Sequence, residues 1–249
     1  MAPWWFAVSL VVVTAVIGTV VVGFAHASST QGRSPIVRVT LWVAAAWAVL
    51  SVGGALVTVL STVMQDDVRI TVPVEEYWPR LPEGTEIDGP TASIDGGGFT
   101  SASLVARGLS TGTRVMWASS QAIAWLLPGV IAIVLAIACR HLLQGRAFRP
   151  VIARMTAFAA VAIAVGGIAT QVLGDLAGYQ AAIELLQVTS AQYPDIPQLP
   201  DSDVTTWLPV PRFEVTIPFW PIAAGLAFAA LAAIFRYGSR LQRDTEGLV

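Results

Sequence analysis

"CRHLLQGRAFRPVIAR", Cys139 to Arg154, holds four of the chain's fourteen arginines and one of its two histidines. The stretches on either side, 115–139 and 155–174, contain no Asp, Glu, Lys or Arg. A helix needs about 20 predominantly apolar residues to cross the hydrocarbon core of a bilayer. Both flanks are long enough. Basic residues collect in the short cytoplasmic loops of membrane proteins. The quoted stretch therefore reads as a cytoplasmic loop joining two antiparallel membrane helices.

The rest of the chain agrees. It has 249 residues, 55% hydrophobic and 12% charged, with a mean hydropathy of +0.69. A soluble domain carries about 25% charged residues. Three further charge-free runs lie at 1–32, 39–65 and 215–235. The spans expected within the five runs are 4–25, 39–63, 117–140, 155–176 and 217–236. Every basic residue apart from histidine is arginine, and Cys139 is the one cysteine, which excludes an internal disulfide and a Cys-cluster metal site.

Orientation follows from charge. With the N-terminus outside, the inner segments hold nine arginines and two acids, a balance of +7. The outer segments hold five arginines and fourteen acids, a balance of −9, and together these give the net −2. Trp4, Trp5, Trp117 and Trp220 fall at outer ends and Trp42 at an inner end, where amphipathic rings prefer the interface. Ala25-His26-Ala27 has the A-x-A form of a signal-peptidase site, but no positive stretch precedes the first apolar run.

The fold expected is an all-α polytopic membrane helix bundle of five spans, with a small extracytoplasmic segment containing short β-strands. Residues 1–37 form the N-terminal helix and a short loop. Residues 38–236 form a four-helix core whose outer loops, 65–116 and 177–216, make the extracytoplasmic domain. Residues 237–249 form a cytoplasmic tail. "VRITVPV" (68–74) and "RFEVTI" (212–217) alternate apolar and polar residues, as half-buried strands do. They are expected to pair, with Pro73 restricting the first to an edge or a short pairing. "LAGYQAAIELLQ" (176–187) has helical spacing and extends the fourth span. The 82–98 stretch reads as a solvated acidic loop; Glu83, Glu86, Asp88 and Asp95 lack the spacing of a calcium loop.

No ionisable residue falls at mid-depth in any span, where functional charges in membranes usually sit. Asp175 lies at an outer helix end. Gln121 and Gln171 lie at similar depths in neighbouring spans, so a Gln121–Gln171 hydrogen bond between helices is expected. The other reading of this pair is a polar lining for a pathway. Gly174-x-x-x-Gly178 and Ala160-x-x-x-Ala164 are small-residue pairs that allow close backbone approach within the chain. Pro128 is expected to kink the third span. The chain has no G-x-S-x-G, P-loop, H-E-x-x-H or Cys/His cluster. Enzyme chemistry, a cofactor and nucleic-acid binding are accordingly not expected.

The loop "LLQGRAFRPVIARM" (142–155) resembles the bacterial membrane family called domain of unknown function 2975. Gly145, Arg146 and Phe148 match its short cytoplasmic loop, and Arg154-Met155 match the start of the following helix. The resemblance covers about 38–236 and implies a four-span core in the plasma membrane; the first span is an addition to that pattern. It implies no reaction and no catalytic residue. In physical terms, Gly145 ends a helix as a C-cap, while Arg146 and Arg149 sit at lipid headgroups with Phe148 between them. The function expected is an accessory, sensing or regulatory interaction protein, with a small transporter or channel component as the alternative. Its partners would be the lipid bilayer and a membrane or extracytoplasmic protein.

Overall fold

A computed structural model describes residues 35–79, 89, 91–92, 95–144, 149–190 and 208–246. The elements in chain order are α1 (Pro35–Met64), β1 (Asp67–Tyr77), β2 (Phe99–Arg107), α2 (Thr111–Leu143), α3 (Pro150–Leu186) and α4 (Trp220–Glu246). Among the described residues, four helices are long and apolar enough to cross a membrane. They correspond to the second to fifth expected spans. The first expected span, 4–25, lies outside the described residues, as do Gly145, Arg146 and Phe148 of the loop.

The helices are longer than a bilayer requires. α3 has 37 residues, about 56 Å at 1.5 Å per residue, against a hydrocarbon core of about 30 Å. It includes the expected extension to 186. α2 begins at Thr111 rather than 117 and runs through Pro128 as one helix. α4 continues to Glu246, so the expected tail from 237 begins as helix.

Side-chain exposure is inverted relative to a soluble bundle. Trp42 is 71% exposed, Val49 73% and Leu226 67%. The helix interfaces instead bury small residues such as Ala44, Ser51, Ala132, Ala153 and Ala159. Large apolar side chains facing outward over four helices call for a lipid solvent. The structure is that of a multi-span membrane protein with a small sheet.

The chain divides into two compact units. The first comprises Met1–Ala55, Ala124–Gly167 and Phe219–Val249, and the second Leu56–Ile123 and Ile168–Pro218. In the first, Val134, Ala159 and Ile163 form a core with Val130, Met155 and Phe228 around it. Close helix approach depends on glycine. A Cβ on Gly225 would lie 2.9 Å from both the Ala160 carbonyl oxygen and the Ala164 Cβ. The Ala160/Ala164 pair thus receives α4 within the chain. A Cβ on Gly129 would lie 2.8 Å from the Ser51 Cβ, so α1 and α2 meet in the same way.

In the second unit β1 and β2 form an antiparallel two-stranded sheet. Val68 pairs with Ala106, Ile70 with Leu104 and Val72 with Ala102. Period-two alternation places these six on one face, where they pack on Ala177, Ala181 and Ala182 of α3. Asp67 and Arg107 close the register with a two-pronged ion pair. The bond from Arg107 holds the Asp67 carboxyl below the usual carboxylate range. Both side chains are exposed, so the pair fixes register more than it adds stability.

The sheet corrects one expectation. The strand at 67–77 forms, but its partner is 99–107 rather than 212–217. Residues 208–218 instead form a strap. Val74 bridges Pro211, the Glu75 N–H donates to the Val210 carbonyl at 2.8 Å, and the Arg212 N–H donates to the Pro73 carbonyl at 3.3 Å. The ladder stops there for a chemical reason. The second bond of the Arg212–Pro73 pair would need the N–H that Pro73 lacks. A strand residue points its N–H and C=O to the same neighbour, so this defect faces the strap; the β1–β2 register itself shifts between Pro73 and Tyr77.

Candidate functional site

The second unit carries a half-open cavity of about 440 Å³. α2 lines it with Trp117, Ser120 and Gln121, and α3 with Thr170, Gln171, Gly174, Asp175 and Gly178. β1 contributes Thr71 and Pro73, β2 Thr100 and Ser101, and the strap Glu214 and Thr216. Ten of these fourteen lining residues carry polar side chains. The volume lies within the range of about 300–1,000 Å³ usual for small-molecule sites.

Glycine spacing makes the cavity. Gly174 and Gly178 occupy one face of α3, a turn apart. A Cβ on Gly178 would sit 2.6 Å from the Thr71 carbonyl oxygen, so only glycine lets β1 lie this close to the helix. A Cβ on Gly174 would sit 3.0 Å from the Ser120 Oγ. Ser120 itself donates its hydroxyl to the Thr170 carbonyl at 2.7 Å, joining α2 to α3 at the cavity wall. The G-x-x-x-G pair is therefore used within one chain.

Asp175 organises the wall. Its Oδ1 accepts the Gln171 amide N–H at 2.8 Å and its Oδ2 accepts the Thr216 backbone N–H at 2.7 Å. The first bond links successive turns of α3 and the second ties down the strap. Phe213 meets Tyr179 edge-on, with ring centroids 5.0 Å apart. Glu214 lies 3.6 Å from Arg212, and both are about half exposed. The Thr170 hydroxyl is buried without a partner.

The structure brings Gln121 and Gln171 into this one cavity. It corrects the expected bond between them: Gln171 gives its amide to Asp175, four residues along the same helix. A carboxylate one turn away is a stronger acceptor than a neutral amide across a gap. Sequence reading placed Asp175 only as an interfacial acid. Its partner Thr216 is 41 residues distant, and no local signal connects them. Arg149, the described member of the loop motif, immediately precedes Pro150. Its carbonyl accepts the Ile152 N–H at 3.0 Å, so it caps α3 with proline at the first helical position.

Two other cavities are simpler. One of about 380 Å³ in the second unit is lined by Glu75, Glu76, Tyr77, Trp78, Gly97, Leu208 and Val210. One of about 300 Å³ in the first unit lies among Val43, Ala44, Trp47, Pro128, Ile131, Ala132 and Leu135, with Thr40 as its polar member. Among the described residues no group of three His, Cys, Asp or Glu side chains is placed to hold a metal ion. No family model, curated protein or solved structure matches this chain.

Proposed function

We propose that this is a non-enzymatic plasma-membrane protein with a sensing or regulatory role. In this reading the second unit faces the outside and its polar cavity receives a small solute. The observation that carries the proposal is the cavity between β1, α2 and α3. The strap attached to Asp175 forms part of its wall, so an occupant would touch both a helix and a segment able to report its presence. The arginine asymmetry supports the orientation, because nine of fourteen arginines fall on the opposite side from both long loops. The resemblance of the 142–155 loop to the domain of unknown function 2975 family accords with it.

A small transporter or channel component is the second reading. It calls for a polar route through the first unit, where the described cavity is lined almost wholly by apolar residues.

The test is thermal unfolding of the purified full chain in lipid nanodiscs, against a panel of neutral, cationic and anionic small solutes. Ser101 is an exposed lining residue on β2, so Ser101→Trp fills the cavity without touching the buried core. The proposal expects at least one solute to raise the unfolding temperature of the wild type and not of Ser101→Trp. A panel without effect, or an effect that Ser101→Trp leaves intact, would overturn it.

A further inference from the structure

We infer that the occupant of this cavity carries an ammonium group; the inference rests on the reading of the cavity as a solute site. Its wall holds two carboxylates, Asp175 and Glu214, and no Arg, Lys or His. The two acids differ in what they leave open. Asp175 has one N–H on each oxygen, both from neutral donors, so its charge meets no cation. Among the described residues Glu214 is paired with Arg212 alone, at 3.6 Å and half exposed. A pair that wide and that wet contributes little and leaves Glu214 free to accept from a ligand.

The neighbouring groups suit an organic cation. Trp117 presents an aromatic ring in the same wall, and indole faces attract ammonium groups. Gln121 adds an amide oxygen. A metal ion fits less well, because it calls for several free carboxylate oxygens and Asp175 has committed both of its own to N–H groups. An anion would face two acids with no cation lining the cavity. The volume of about 440 Å³ admits an amine or amino alcohol. The ethanolamine headgroup of a lipid presents the same chemistry.

The experiment uses the full chain in phosphatidylglycerol nanodiscs, titrated with ethanolamine and putrescine. Ethylene glycol and 1,4-butanediol serve as neutral counterparts, and succinate as an anion. The inference expects the amines alone to raise the unfolding temperature. Glu214→Gln should weaken their apparent affinity about tenfold, the size expected when a charged hydrogen-bond acceptor is neutralised. Asp175→Asn, which keeps an acceptor for Thr216, should weaken it too. Glu76→Gln, an acid outside this cavity, should not. Stabilisation by phosphatidylethanolamine nanodiscs without any effect of free amines supports the ammonium chemistry and identifies a lipid as its source. Stabilisation by the diols or succinate, insensitive to Glu214→Gln, would overturn the inference while leaving a solute-binding cavity. No response to any solute or lipid would overturn both.

Discussion

Glu184, in the last turn of α3, accepts the backbone N–H of Ser110 at 2.8 Å and the Ser110 hydroxyl at 2.7 Å. Its Oε1 also accepts the Thr113 hydroxyl, at 2.6 Å. Ser110 is the N-cap of α2, and its Oγ accepts the Thr113 N–H at 3.3 Å. A capping box normally places its carboxylate three residues after the cap. Here that position is Thr113, and the carboxylate arrives from another helix. The first turn of α2 therefore has a negative charge at its positive end. Arg114 complements this by donating from Nε to the Thr62 carbonyl at 3.0 Å and from its guanidinium to the Gln65 carbonyl. It closes the C-terminal end of α1 with a cation.

Removing that carboxylate should loosen the start of α2. Glu184→Ala is expected to cost about 1–2 kcal/mol, the range for losing an N-cap interaction with its charge, and Glu184→Gln less. Thermal unfolding in nanodiscs reads both. The pH dependence has a definite sign. Glu184 lies ten residues past Gly174, the end of the charge-free run. Burial pushes its carboxyl up, but the bonds from Thr113 and Ser110 outweigh this and hold it below the usual glutamate range. A depressed folded-state pKa stabilises the fold above the unfolded value, about 4.3. That stability is lost as pH falls through the folded value. Wild type should thus lose stability below about pH 4.3 more steeply than Glu184→Gln; parallel acid profiles would contradict the cap.

Gly178 sets how closely the sheet lies on α3. Gly178→Ala puts a methyl 2.6 Å from the Thr71 carbonyl oxygen, which is backbone and cannot rotate away. The sheet must shift, at a cost of about 1–3 kcal/mol by analogy with overpacked cores. Gly53→Ala is the control, because its Cβ would meet nothing within 4 Å. A loss for Gly178→Ala no larger than for Gly53→Ala, measured in the same unfolding assay, would contradict the close approach.

Asp175 should hold the strap as well as line the cavity. Asp175→Ala removes the acceptor of the Thr216 N–H, and Asp175→Asn keeps one. Hydrogen exchange followed by mass spectrometry should show the Thr216 amide exchanging about tenfold faster in Asp175→Ala, for a lost charged hydrogen bond of roughly 1.5 kcal/mol. In Asp175→Asn the change should be smaller. Equal exchange in wild type and Asp175→Ala would remove Asp175 from this role.

Much of the architecture was legible in the sequence because lipid leaves long charge-free runs as its signature. Helices α1 to α4 follow from those runs, and β1 from the alternation at 68–74. Strand β2 was missed because its inward residues, Ala102, Leu104 and Ala106, alternate with serines and Val105 and show only weak contrast. The 212–217 segment alternates as a strand does, yet Pro73 withholds the N–H that would extend the pairing. The acceptor for Gln171 lies one turn away on its own helix, a partner that a comparison of depths between helices does not point to. The partnerships that build the second unit, Glu184 with Ser110 and Asp175 with Thr216, span 74 and 41 residues. Nothing in either neighbourhood announces the other.

Cysteine accessibility in intact cells tests the account most directly. In a Cys139→Ala background, single cysteines replace Ser103 and Ser190 in the second unit, and Gln144 and Leu241 in the first. All four positions are exposed. The account predicts that a membrane-impermeant thiol reagent labels 103 and 190 in intact cells, and 144 and 241 only once the membrane is opened. Labelling at 144 or 241 in intact cells, with protection at 103 and 190, would invert the topology and place the cavity in the cytoplasm.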